Sequence, residues 1–259
     1  EESRHPGYAE GDLVLAMGGW QRYAAVDGNT LRKLDLPESK LSLALGALGM
    51  PGFTAWWGLE HIGQPKEGET LVVAAATGPV GSMVGQLAKR DGARAVGVAG
   101  GADKCRYATE ELGFDACLDH RADDFAERLR AACPDGVDVY FENVGLPVLR
   151  PVLPLLQPHA RIPLCGLVAH YNATAFPEGP DRTVGLLNTV LKKKLRLQGF
   201  IIADHFDEFG TFAREVAPAV LDGSIRFRED VVSGLEQAPE AFIGMLKGEN
   251  FGKLVVRID

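Results

Sequence analysis

Between residues 70 and 99, apolar residues fall into two short continuous runs separated by a stretch with helical spacing. Residues 70–76 predict a strand buried on both faces, and residues 81–90 predict a helix on which Val80, Met83, Val84, Leu87 and Ala88 share one side. A second buried strand follows at 93–99, then a helix at 104–112, a short strand at 117–119 and a helix at 124–132 that turns Phe125 and Leu129 inward. Further strands are expected at 137–143, 161–166 and 195–202, and a helix at 52–62 after Pro51 precedes the whole series. Short strands alternating with crossover helices predict a parallel, doubly wound α/β sheet.

The two ends of the chain follow another pattern. Residues 1–45 contain strand-like pieces at Leu13-Val14-Leu15 and Arg22-Tyr23-Ala24-Ala25-Val26, broken by Gly and Asp turns. These few strands could not close a sheet with two protected edges, so the front of a β domain is expected to be missing. Near the other end, Phe209, Phe212, Val216 and Val220 mark a helix over 206–221. A strand at 226–232, a helix at 238–247 and a final strand at 253–258 follow, and the last is expected to rejoin the β domain that residues 1–45 begin.

Composition narrows the function classes. The 259 residues are 46% hydrophobic and 24% charged, enough to bury a large core. A formal net charge of −8 argues against a basic face that tracks a phosphate backbone, so no nucleic-acid partner is expected. No apolar run approaches the roughly 20 residues of a membrane span, and the chain reads as cytoplasmic. Cys105, Cys117, Cys133 and Cys165 are widely spaced and form no C-x-x-C pair, so they read as small apolar residues rather than zinc ligands or a disulfide framework.

The strongest chemical signal is residues 71–89, an apolar strand that delivers Gly78, Gly81 and Gly85 into the start of a helix. Gly78 and Gly81 let the backbone approach a pyrophosphate, which the free N–H groups of the helix would hold, while Gly85 permits close packing. The spacing departs from G-x-G-x-x-G, and a tight strand-to-helix turn without a ligand is the plainer alternative. The second strand strengthens the first reading. Where NAD enzymes carry an acidic residue for the ribose, this chain has Gly100-Gly101, followed by Lys104 and Arg106. Loss of the carboxylate and gain of positive charge together predict NADP(H).

Eight segments together carry a resemblance: 49–59 (GMPGFTAWWGL), 74–89 (AAATGPVGSMVGQLAK), 99–107 (AGGADKCRY), 141–145 (FENVG), 165–172 (CGLVAHYN), 179–182 (GPDR), 197–201 (LQGFI) and 250–256 (NFGKLVV). The chain resembles, over nearly its whole length, the zinc-independent medium-chain reductases. These include leukotriene B4 12-hydroxydehydrogenase/prostaglandin reductase, plant alkenal double-bond reductases and bacterial NADPH-dependent curcumin reductases. The resemblance implies a doubly wound parallel Rossmann sheet over 49–202 and a partial GroES-like β domain built from both chain ends, 1–48 and 203–259. It also implies a homodimer and NADPH/NADP+ as cofactor.

By motif, Gly78, Pro79, Val80 and Gly81 would form the pyrophosphate turn, Gly100 and Gly101 would border the ribose, and Lys104 would hold the 2′-phosphate. Asn143 would lie beside the cofactor, and Cys165 and Gly166 through Tyr171 would form the loop over its nicotinamide half. Phe200, Ile201, Ile202 and Asn250 would complete the cleft. The chain departs from many relatives at His120, where a tyrosine is usual near the adenine, and at Leu146, which replaces a second glycine.

Zinc alcohol dehydrogenases place a cysteine ligand in the segment that here reads Gly49-Met50-Pro51. Met50 is a poor zinc ligand and is expected either to line the substrate side or to pack in the core. No metal is expected, so the charge that develops on an enone or enal oxygen would need a hydrogen-bond donor. Tyr171 is the candidate, with His170 the lesser one. The expected reaction is NADPH-dependent reduction of the carbon–carbon double bond of small-molecule enones and enals. A quinone reductase, or an NADP(H)-binding protein without turnover, are the alternatives.

Overall fold

In the computed structural model, which describes residues 2–175 and 182–258, the chain opens with β1 (Val14–Leu15) paired antiparallel to β2 (Arg32–Lys33). Helix α1 (Met50–Gly58) begins with Pro51 in its first turn and runs on into a wider π-type turn, Leu59–Gly63. Then come β3 (Thr70–Ala74), α2 (Gly81–Arg90), β4 (Arg94–Ala99), α3 (Ala102–Glu110), β5 (Ala116–Asp119), α4 (Phe125–Ala132), β6 (Val137–Phe141), α5 (Leu146–Val152) and β7 (Leu156–Leu164). Helix α6 (Thr183–Lys193), β8 (Arg196–Gly199), α7 (Phe209–Leu221), β9 (Glu229–Ser233), α8 (Ala238–Leu246) and β10 (Lys253–Arg257) complete the chain.

Strands β3 to β8 form one six-stranded parallel sheet in the order β5-β4-β3-β6-β7-β8. All five residues of β3 are buried, because helices cover both faces of the sheet. Leu71 and Val73 point into one apolar cluster with Phe53, Met83, Val84, Phe141 and Phe212, and Val72 and Ala74 into another with Val96, Val98, Leu129, Tyr140 and Ile162. This is the doubly wound α/β architecture expected from the run pattern.

Four local expectations need correction. Residues 22–26 form no strand; the segment is exposed and is paired with no strand, so the period-two pattern there has no ladder to join. β10 pairs parallel with β9 rather than with β1 or β2. It faces the first strands only across a cavity of about 610 Å³ lined by Leu15, Leu34, Val231 and Val255. The strand expected at 195–202 stops at Gly199, whose partner Leu164 is the last residue of β7, and the chain turns at once into the short helical stretch Ile202–Glu208. Strand β7 instead starts earlier than the expected 161, at Leu156.

Side chains tie the segment that follows β8 to the N-terminal part and to α1. The Arg32 guanidinium lies 4.2 Å from the ring centre of Phe209, and the indole N–H groups of Trp56 and Trp57 donate to Glu215 and Glu208, each at 2.9 Å. Among the described residues no helix is long and apolar enough to cross a membrane.

Candidate active site

On either side of β3 the strand order runs in opposite directions, to β4 and to β6, so the loops that leave the carboxyl ends of these strands diverge and open a crevice. A cavity of about 450 Å³ lies there, and residues from the segment 245–254 form its far wall.

The turn after β3 is tight. Ala75 takes φ +54°, a left-handed conformation uncommon for a residue with a side chain, and its carbonyl accepts from the Gly78 N–H at 2.9 Å. A Cβ on Gly81 would stand 2.2 Å from that same carbonyl oxygen, so only glycine fits. Helix α2 then starts with no side-chain cap; the N–H groups of Ser82 and Met83 donate to the Gly78 and Val80 carbonyls at 3.0 and 3.1 Å, so an anion would be met by the N–H groups ahead of them and by the positive end of the helix. Gly78 and Pro79 line the cavity, whereas Val80 packs against the apolar core.

At the other end of the cavity, Gly101 takes φ +103° at the start of α3 and Gly100 lies in the wall beside Lys104, His120 and Arg121. The Lys104 ammonium donates to the Gly248 carbonyl at 2.8 Å. Partial burial, and then the neighbouring Arg121, hold its pKa below the ordinary lysine value. The same two causes, in the same order, lower His120. Arg106, expected here, pairs instead with Asp103 at 2.5 Å on the solvent side of α3. Two positions along a helix put Lys104 and Arg106 on different faces.

The loops after β6 and β7 are tied by Glu142, which is only 1% exposed. One carboxylate oxygen accepts from the N–H groups of Val144 and Gly145 at 2.6 and 2.8 Å, and its backbone carbonyl accepts from those of Cys165 and Gly166 at 3.0 and 3.1 Å. Burial raises the Glu142 pKa, against the lowering by those N–H groups. Asn143 donates to the Ala74 carbonyl at 2.9 Å and pins this loop to the end of β3. Burial, with Glu142 nearby, pushes the Cys165 thiol up to about 12, so it is not a nucleophile at neutral pH.

Tyr171 lines the cavity and is 62% exposed. Its hydroxyl lies 3.1 Å from where a Cβ on Gly166 would stand. His170 turns away, against Gly145.

The structure thus brings Gly78, Pro79, Gly100, Lys104, His120, Tyr171 and Asn250 to one cavity. Asn143, Cys165, Gly166, Gly81 and Gly101 shape the loops behind it. Phe200 stacks on Trp57 with 5.2 Å between ring centres, Ile202 packs on the core and Ile201 is exposed. Met50 is 52% exposed at the start of α1, so it is not a core residue; neither it nor Phe200, Ile201 or Ile202 lines this cavity. Of the segment 179–182, Gly179, Pro180 and Asp181 lie outside the described residues, and Arg182 immediately precedes α6.

Val168 and Ala169 belong to the expected loop from Cys165 to Tyr171 and line the cavity, but sequence reasoning missed Arg121, Val144, Val148 and the wall formed by Met245, Leu246 and Gly248. The basic pair His120-Arg121 at the end of β5 was a readable signal; the wall had none, because it depends on how the far end of the chain folds back. Among the described residues no group of three His, Cys, Asp or Glu side chains could hold a metal ion.

Comparison with known proteins agrees with this geometry. Residues 79–217 match the family described as zinc-binding dehydrogenase. The chain is 60% identical over 258 residues to an NADPH-dependent curcumin reductase of Escherichia coli, covering 99% of this chain and 75% of that one. It is 38% identical to an NADP(+)-dependent 2-alkenal reductase of Nicotiana tabacum, covering 99% and 74%. The crystal structure of CurA with NADPH from Vibrio vulnificus superposes with a TM-score of 0.91 at 55% identity, over 95% of this chain and 73% of that one. With more than half of its length matched by the family model and 99% of it aligned to a relative at 60% identity, the chain belongs to the zinc-binding dehydrogenase family of medium-chain reductases.

Proposed function

We propose that this protein reduces the carbon–carbon double bond of α,β-unsaturated ketones and aldehydes with NADPH. The observation that carries the reading is that Tyr171 lines the same cavity as Gly78 and Lys104, which puts a hydroxyl donor, a pyrophosphate turn and a phosphate-binding cation in one crevice. The names of the curcumin and 2-alkenal reductases that the chain resembles support it.

The residues fit the cofactor. The cradle at Gly81 that a Cβ would fill, the uncapped start of α2 and the basic groups around Gly100 suit a pyrophosphate and a 2′-phosphate. When bound, NADPH supplies the hydride for the β carbon. Asn143 and Glu142 hold the loops in register, and the Tyr171 hydroxyl donates a hydrogen bond to the substrate carbonyl oxygen as negative charge builds there. The α carbon then takes a proton from that hydroxyl or from water. The saturated carbonyl compound leaves with its C=O intact.

Reduction of a simple enone with 4R- and 4S-deuterated NADPH, followed by NMR of the product, tests this. Deuterium at the β carbon is expected. Deuterium at the carbonyl carbon, in an allylic alcohol, would make the protein an alcohol dehydrogenase.

The proposal includes a homodimer and the division of the chain at 48/49 and 202/203. β8 is an edge of the large sheet, and Val184, Leu187 and Leu191 expose one apolar stripe on α6 nearby, a surface suited to a second copy. Light scattering at micromolar concentration checks it, a monomer being the contrary result. The four free cysteines fit a reducing, cytoplasmic setting.

A further inference from the structure

Two basic side chains converge on a backbone position that carries no side chain of its own, and a third lines the same cavity. A Cβ on Gly100 would stand 3.1 Å from Nε and from Nη2 of Arg121, and 3.1 Å from Nε2 of His120. Lys104 lines the same cavity, and the electrostatic effect of Arg121 on it is unfavourable to its charge. Among the described residues neither Lys104 nor Arg121 forms a salt bridge, while their neighbours Arg106 and Arg128 pair with Asp103 and Asp124. Asp119, at the end of β5, accepts from the backbone N–H of Arg121 at 3.0 Å and from that of Gly101.

Asp230 offsets part of the charge on Lys104 and Asp119 part of that on His120 and Arg121, but neither carboxylate forms a salt bridge with Lys104 or Arg121, and an anion between these like charges lowers the energy of the site. Lys104 by itself is a poor match for a dianion, since one of its N–H groups is spent on Gly248 and partial burial works against its charge. A guanidinium stays protonated and presents a planar fork of donors that suits phosphate oxygens.

We infer that Arg121 is the second cation of the 2′-phosphate site, and that glycine at position 100 lets its guanidinium and the His120 ring lie close against the backbone. This rests on the NADPH reading above and deepens it: selectivity for the phosphorylated ribose comes from a Lys104–Arg121 pair, the first supplied by the opening turn of α3 and the second by the connection from β5 to α4. Arg121 is exposed, so its replacement leaves the packing of the fold alone.

The test is calorimetric binding of adenosine 2′,5′-bisphosphate and adenosine 5′-monophosphate, which differ only in the 2′-phosphate, to the full chain and to its Arg121→Gln and Arg121→Lys variants. Arg121→Gln should weaken the bisphosphate roughly ten- to hundredfold, the range for losing a charged hydrogen bond, and leave the monophosphate unchanged. Arg121→Lys, which keeps charge but loses the fork, should fall between. Equal weakening of both ligands would place Arg121 on the adenosine or the 5′-phosphate and overturn the inference, as would no change in either. If the unmodified protein itself fails to prefer the bisphosphate, the NADPH reading falls as well, which separates the two failures.

Discussion

The ammonium of Lys104, at the start of α3, hydrogen-bonds the carbonyl of Gly248, beyond the end of α8, at 2.8 Å. The residue expected to grip the 2′-phosphate therefore also ties the large sheet's domain to the C-terminal segment that walls the cavity.

Replacing Lys104 with Ala removes both links. NADPH affinity should fall by about 1.5–3 kcal/mol, the worth of a charge-assisted contact, while NADH affinity changes little. Fluorescence titration with each cofactor measures the split, and equal losses would mean that Lys104 acts only by holding the segment in place.

His120 predicts a proton uptake. Burial and Arg121 hold it below the ordinary imidazole value, Lys104 adds to the lowering and Asp119 opposes it. A phosphate placed beside it reverses the charge effect and raises its pKa on binding. The resulting gain in affinity is complete below the pKa of the free protein and vanishes as pH rises through that of the complex. Calorimetry in buffers of different ionisation enthalpy should show net uptake for NADPH that shrinks in His120→Asn. The phosphate's own ionisation is common to both proteins, so identical uptake would exclude His120.

Tyr171→Phe separates two roles for the hydroxyl. If it stabilises the developing oxyanion, turnover should drop roughly 10²-fold with cofactor affinity kept. A smaller loss with weaker NADPH binding would instead mean that the hydroxyl only orients the cofactor. Steady-state kinetics and direct binding measured on the same preparation distinguish these.

Gly85 is a packing position. A Cβ there would stand 1.9 Å from Cζ of Phe114, a side chain 4% exposed, and would force the ring to move. Gly85→Ala should destabilise the protein by about 1–3 kcal/mol. Adding Phe114→Leu should return part of the loss in thermal unfolding, and a neutral single variant would contradict the contact.

Much was legible in the sequence because its signals are local. Continuous apolar runs and helical spacings report burial within one element, and they located β3, α2 and the strands on either side almost to the residue. The glycines at 78, 81 and 85 report steric limits that act over a few bonds, so a turn, an anion site and a close helix contact could be inferred without coordinates. The missing acid at Gly100 is a local signal of the same kind.

Only the tertiary structure decided which side chains share a space. Lys104 and Arg106 look equivalent in sequence, yet the rotation of α3 on the sheet turns the first into the cavity and leaves the second paired with Asp103 in solvent. Arg121 reaches the cavity because β5 lies beside β4, a neighbour relation that no spacing encodes. Residues 22–26 carry a strand pattern but form no strand, since a strand exists only where another backbone lies alongside. The wall from 245 to 254 meets Gly78 and Lys104 only after the whole sheet has assembled, because its contacts depend on the path of the intervening chain rather than on its own residues.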